Sequence, residues 1–216
     1  MHHDFWHRRW QKNEIGFHEP DGSHLLKTYF NQFELAEGAR IFVPLCGKTK
    51  DIGWLLFKGF QVVAIELNET AVNALFDELG ISPSVTEQDG FKLFSAPDLQ
   101  VFVGDFFALQ ASHIGDIQGI YDRAALVALP DEMRIRYVQH LIDITHATQQ
   151  FLVTYDYDPL LFSGPPFSVE KDAVNAYYHD LYNISMLFRD KVQGGFRGHS
   201  EVFESVYLLK PIRRPS

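Results

Sequence analysis

Residues 41–50 read IFVPLCGKTK, and three kinds of chemistry meet in them. Cys46 has the side chain of a nucleophile. Gly47-Lys48-Thr49 has the ending of a phosphate-binding loop. The same stretch also reads as a strand that ends in a tight turn against a ligand. A phosphate-binding loop needs four residues between its first glycine and the Gly-Lys-Thr, so that backbone N–H groups wrap the phosphates. Here the nearest upstream glycine is Gly38, with eight residues between it and Gly47, and the apolar run ARIFVPL fills the gap. Lys48 then reads as a solvated charge. A nucleophilic thiolate needs a base or a cationic setting, whereas a free cysteine is ordinarily a small buried hydrophobe. The turn reading is the one with support elsewhere. Gly47 lets the backbone approach a ligand closely, and Glu66 ends the next strand about twenty residues on, where an acid suits the two hydroxyls of a ribose. That pair fits dinucleotide and adenosine cofactors alike. The missing second and third glycines of G-x-G-x-x-G leave no pyrophosphate cradle, which favours S-adenosyl-L-methionine.

Two further positions agree. Asp105 and Phe106 in VGDFF place a carboxylate and an aromatic ring just after a strand, suited to an adenine amino group and its face. A turn cap is the alternative for Asp105. Arg123 in YDRAALVALP is a permanent cation, suited to an anionic group, with a salt bridge to Asp122 as its alternative.

These residues need a scaffold that brings them together. The N-terminal region 1–33 reads as helical, with Phe5, Trp6 and Trp10 at helical spacing and Ser23 as a cap of a second helix. Strands are expected at 39–45, 60–67, 99–107, 117–126 and 149–158, with helices over 49–59, 68–80 and 130–148 between them. Asn68 opens the second of these helices and Gly80 closes it. A helix near 169–180 and strands over 183–190 and 201–210 complete the chain. The order predicts an α/β fold, Rossmann-like, whose mostly parallel sheet carries an antiparallel C-terminal edge. Ligands of such sheets sit beyond the carboxyl ends of the strands, where the residues above fall. One domain over 1–216 is expected, without repeats.

Composition narrows the partners. A net charge of −9 argues against nucleic acid, because phosphate backbones recruit basic surfaces. No apolar run is long enough to span a bilayer, so no membrane partner is expected. The opening MHHDFWHRRW lacks the apolar core of a signal peptide, and a lone cysteine fits a reducing compartment. A cytoplasmic monomer is the expectation. His2, His3 and His7 cluster near the start, but no metal-ligand spacing accompanies them, and no required metal is expected.

The segments FWHRRW and GFH (5–18), VPLCGK (43–48), VVAIEL (62–67), YDRAALVAL (121–129), YDPLLFSGPPF (157–167) and FESVYLLK (203–210) together resemble the thiopurine S-methyltransferase family in its short bacterial form. The resemblance runs through essentially the whole chain. It implies a class I methyltransferase fold with residues 1–33 as a helical lid. It also implies methyl transfer from S-adenosylmethionine to the sulfur of thiopurines or other aromatic thiols, with selenium or tellurium species admissible in the same pocket. It puts Trp10, Leu45, Glu66 and Arg123 around the cofactor, and Asp105–Phe106 at its adenine. Phe17 would line the acceptor pocket and Arg197 would be a second acceptor-side arginine. Mechanistically, His18 is a candidate proton acceptor through water, with a surface histidine as its alternative. A non-catalytic cofactor sensor and an NAD-type oxidoreductase are the competing readings.

Overall fold

The computed structural model describes residues 3–12, 14, 16 and 19–212. Phe17, His18 and His2 lie outside them. The N-terminal region holds two short helices, as expected. Helix α1 (His3–Gln11) has no buried residue. Helix α2 (His24–Tyr29) buries Leu25 and Leu26, and its cap is the expected one, Ser23 accepting from the Leu26 N–H at 3.3 Å. A turn of 3₁₀ helix (Phe30–Phe33) leads into strand β1 (Arg40–Val43). There follow α3 (Asp51–Phe57), β2 (Gln61–Glu66), α4 (Glu69–Leu79), β3 (Ser84–Gln88), β4 (Phe91–Ala96) and β5 (Leu99–Val103). The second half runs α5 (Ala111–Ile114), β6 (Gly119–Arg123), α6 (Asp131–Thr145), β7 (Gln150–Asp156), α7 (Lys171–Tyr178), β8 (Tyr182–Lys191) and β9 (Phe203–Pro211).

All nine strands form one sheet in the order β3-β4-β5-β2-β1-β6-β7-β9-β8. The central five are parallel. The C-terminal pair β9 and β8 is antiparallel, as expected. The other edge is antiparallel too, which sequence patterning did not predict. Its hairpin β3–β4 turns on Asp89-Gly90, both at positive φ, the geometry a two-residue hairpin requires. Strand β3 is exposed along most of its length, so it lacks the apolar alternation by which strands are recognised.

Alternation along the buried strands splits the core into two layers. Ile41, Val43, Val62 and Ala64 face Leu55 of α3 and Val72 and Leu75 of α4. Phe42, Val63, Ile65 and Ile120 face Tyr137, Val138 and Leu141 of α6. Burying each such side chain contributes about 1.5–3 kcal/mol, so β1 and β2 are fixed from both sides and their carboxyl ends are rigid. Asn68 caps α4 through its side chain and Gly80 ends it at φ 67, both as expected. Helix α6 stops at Thr145, short of 148, where His146 and Ala147 turn left-handed. Among the described residues, no helix is long and apolar enough to cross a membrane.

Candidate active site

The chain runs from β1 to β2 and β5 on one side, then crosses to β6 and β7 on the other. Such a reversal opens a crevice at the carboxyl ends of the strands. A cavity of about 500 Å³ lies there, within the ~300–1,000 Å³ usual for small-molecule sites. It extends along the sheet from the end of β5 to that of β8.

At one end stands the turn after β1. Its Cys46 N–H still pairs with the Ile65 carbonyl at 3.0 Å, so the turn is an extension of the sheet. Leu45 (φ 45) and Gly47 (φ 54) are both left-handed. For leucine that conformation costs on the order of 1–2 kcal/mol, and such strain gathers at functional sites. Ala124, just after β6, is a second non-glycine residue at positive φ on the same cavity wall. The Glu66 carboxylate locks the turn. One oxygen accepts from the Gly47 N–H at 2.9 Å and the other from the Asn68 N–H at 2.9 Å. Burial pushes its pKa up and these backbone bonds oppose the shift. Each carboxylate oxygen retains acceptor capacity toward the cavity it lines.

Cys46 shares the wall, yet its thiol is pushed well up, first by burial and then by the charge of Glu66. That setting opposes a thiolate nucleophile. Lys48 is not a free solvated charge. Its ammonium meets Glu78 on α4 at 2.6 Å.

Asp105 and Phe106 follow β5. The carboxylate accepts from the Phe107 N–H at 3.0 Å, so Asp105 does cap a turn, and His3 of α1 lies 3.5 Å from its other oxygen. Gly104 is essential there, because a Cβ would meet the Phe91 ring at 2.6 Å. Phe106 is buried against Tyr137, ring centroids 4.9 Å apart, with one surface on the cavity.

The other end lies under β6, β7 and β8. Arg123 is 8% exposed at its side chain and pairs with Glu19, not with Asp122. Asp122 points away into the core and accepts from the Tyr137 hydroxyl at 2.7 Å. Burial works against the charge of Arg123, and the electronegative groups around it, Tyr121, Tyr155, Glu19 and Asp51, outweigh it. Glu19 begins a turn through Pro20, Asp21 and Gly22 that closes with the Gly22 N–H on the Glu19 carbonyl at 3.2 Å. Buried Asp51 anchors this turn by accepting from the Ser23 N–H at 2.6 Å and from the Tyr121 hydroxyl at 2.8 Å. Arg197 sits at the rim and is exposed. Its guanidinium donates to the Pro165 carbonyl at 2.7 Å and lies over the rings of Phe162 and Phe196. Pro165 and Pro166 of the SGPPF segment form part of the wall.

Helix α1 crosses over the cavity, contributing His3, Trp6, Arg9 and Trp10 to its lining. Trp10, Leu45, Gly47, Glu66, Asp105, Phe106, Arg123 and Arg197 thus converge on one cavity. Sequence reasoning did not identify Glu19, Tyr155 or Asp51. Glu19 is a polar residue in an irregular segment and carries no positional signal. Among the described residues, no group of three or more His, Cys, Asp or Glu could hold a metal ion.

The comparisons agree with this architecture. The chain is 14% identical to a SAM-dependent methyltransferase from Anabaena variabilis ATCC 29413, with a TM-score of 0.65 over 96% of this chain and 95% of the other. Sequence relatives are much nearer. The thiopurine S-methyltransferase of Xanthobacter autotrophicus is 47% identical over 211 residues, 97% of this chain and 99% of the relative. That of Teredinibacter turnerae is 46% identical over 209 residues, 97% of each chain. The family model described as thiopurine S-methyltransferase matches residues 1–211. With a match of that length and relatives this similar, the chain belongs to the thiopurine S-methyltransferase family and is an S-adenosylmethionine-dependent methyltransferase.

Proposed function

We propose that this protein transfers a methyl group to the sulfur of thiopurines and other aromatic thiols, and that the two reactants lie side by side along the cavity. The carrying observation is the division of the cavity into two chemically different ends. Glu66 ends β2 and Asp105 follows β5, whereas Arg123, Tyr155 and Arg197 lie toward β6, β7 and β8. Strands β2 and β7 are three strand spacings apart, roughly 14 Å, enough for two small molecules in a row.

The residues fit S-adenosylmethionine at the first end. Glu66 would accept from the ribose hydroxyls, Phe106 would cover the adenine, and Asp105 would accept from its amino group. The Leu45–Gly47 turn would face the methionine moiety. When bound, this cofactor supplies a methyl group on a positively charged sulfur. The protein then has to hold an acceptor sulfur in line with that carbon, and such positioning supplies much of the acceleration in displacement reactions. Arg123 would stabilise the acceptor as a thiolate, since a neighbouring fixed cation favours the charged form. Trp10 and the rest of α1 would close over the site and exclude water, making residues 1–33 a lid. Phe17 and His18 belong to the same segment, and we assign them to the acceptor side. Arg197 would hold the Pro165–Pro166 wall in place. In this reading the protein is a cytoplasmic monomer with no nucleic-acid partner.

Purified protein with methyl-labelled S-adenosylmethionine and a panel of 6-mercaptopurine, thiophenol, selenite and tellurite tests the proposal. Label is expected on the two sulfur acceptors. Cofactor binding without transfer to any of the four would leave a sensor and remove the acceptor assignment.

A further inference from the structure

The proposed mechanism leaves one question, which is where the proton goes when the acceptor arrives as a thiol. Resting on the reading above, we propose that Glu19 is the proton acceptor and that it hands its place beside Arg123 to the sulfur. Among the described residues, Glu19 is the carboxylate that both lines the cavity and touches the Arg123 guanidinium. The other carboxylates near the cavity are committed. Glu66 is tied to two backbone N–H groups at the far end. Asp105 caps the turn after β5. Glu204 stands behind Tyr155, its cross-strand partner, and is bonded to that residue's hydroxyl. The Tyr155 hydroxyl is itself held in its neutral form, chiefly by burial.

The step balances. The acceptor S–H bond breaks, the proton joins a Glu19 carboxylate oxygen, and the electron pair stays on sulfur. Protonated Glu19 no longer needs Arg123, and the new thiolate does. Negative charge therefore moves from oxygen to sulfur beside a cation that remains paired throughout. An isolated buried Arg123 would be costly, so this exchange keeps the resting site stable and exposes the cation only when an anion replaces Glu19. The carboxylate is 34% exposed, which gives the proton a route to solvent after the methylated product leaves. The Pro20–Gly22 turn and the Asp51 anchor hold Glu19 in register with β6.

The proposal makes Glu19 a determinant of selectivity. A thiol that arrives protonated needs it, and a thiol that arrives ionised competes with it for Arg123. The test uses phenylmethanethiol, which is un-ionised at about pH 7 like an ordinary alkyl thiol, and 4-nitrothiophenol, which is ionised there. For Glu19→Gln, kcat/KM on phenylmethanethiol is expected to fall about 100-fold, the scale of general-base catalysis. On 4-nitrothiophenol it is expected to rise severalfold. Glu19→Asp should recover part of the phenylmethanethiol activity. The ratio of the two rates is internal to each sample, so a partly unfolded preparation does not move it. Equal losses on both acceptors in both variants, or no change on either, would overturn the proposal. Wild-type protein that methylates neither acceptor would instead overturn the thiol-acceptor reading on which it rests.

Discussion

Glu66 does two things at once, and the two separate under mutation. Its carboxylate fixes the turn after β1 through the N–H groups of Gly47 and Asn68, and it lines the cavity where a ribose would lie. Glu66→Gln keeps one acceptor oxygen for the turn and loses the charge. Hydrogen bonds to a charged group contribute about 1.5–3 kcal/mol, so S-adenosylhomocysteine affinity should fall roughly 10- to 100-fold while the melting temperature shifts by only a few degrees. Calorimetric titration beside a thermal melt checks both, and unchanged affinity would remove the ribose assignment. Cys46 makes the opposite case. Buried and held as a thiol, it should tolerate replacement: Cys46→Ser is expected to keep turnover within about twofold, because the serine hydroxyl can donate to the Gly47 carbonyl as the thiol does. Loss of all turnover in a folded Cys46→Ser sample would restore it as a nucleophile. Of these residues, Glu66 and Gly47 were legible from spacing, and Arg123 was legible as a charge at a strand end. Its partner was not, because Glu19 is 104 residues away in sequence and no local pattern encodes that pairing.

At the scale of elements, the site depends on how β6 is tied to its neighbours. Asp122 accepts from Tyr137 on α6 and from the Leu126 N–H, with Gln150 of β7 at 3.3 Å. Burial raises its pKa from 3.8 to about 6, against these hydrogen bonds. The folded state therefore binds a proton that the unfolded chain releases near pH 4. Stability should fall as pH rises from about 4 to about 6, and the two-unit shift corresponds to about 3 kcal/mol in all. Asp122→Asn cannot titrate, so the difference in urea midpoint between wild type and variant should change across that window and be flat above it. A constant difference would mean that Asp122 stays ionised throughout. The Glu19–Gly22 turn is a second such joint. Gly22 has φ +70, and a Cβ there would meet an Asp51 carboxylate oxygen at 2.8 Å. Gly22→Ala should cost about 1–3 kcal/mol and raise KM for the thiol more than for the cofactor, since it displaces Glu19. Kinetics with each substrate varied separately would show it, and equal effects on both would place the damage elsewhere. Helix boundaries here were readable where a cap was present, at Ser23, Asn68 and Gly80. Residues 130–148 lacked a closing glycine, and the predicted helix overran by three positions.

Across the whole molecule, the parallel core was legible because its strands are buried on both faces and alternate with amphipathic helices. The β3–β4 hairpin was not, because its edge strand is polar and only the Asp89-Gly90 turn marked it. That α1, with no buried residue of its own, would lie across the cavity was expected only from the family resemblance, because a helix that buries nothing carries no local signal of where it packs. As a unit, the molecule sets a carboxylate end and a cationic end along one cavity at the carboxyl ends of the strands, which in the proposed reading would take an adenosine and a sulfur. The most direct measurement is the position of methylation on 6-mercaptopurine, which offers ring nitrogens as well as sulfur. Product formed from S-adenosylmethionine with a carbon-13 methyl group should give a single S-methyl signal by nuclear magnetic resonance. N-methyl signals, or release of the methyl group to water, would contradict a site that holds sulfur beside Arg123.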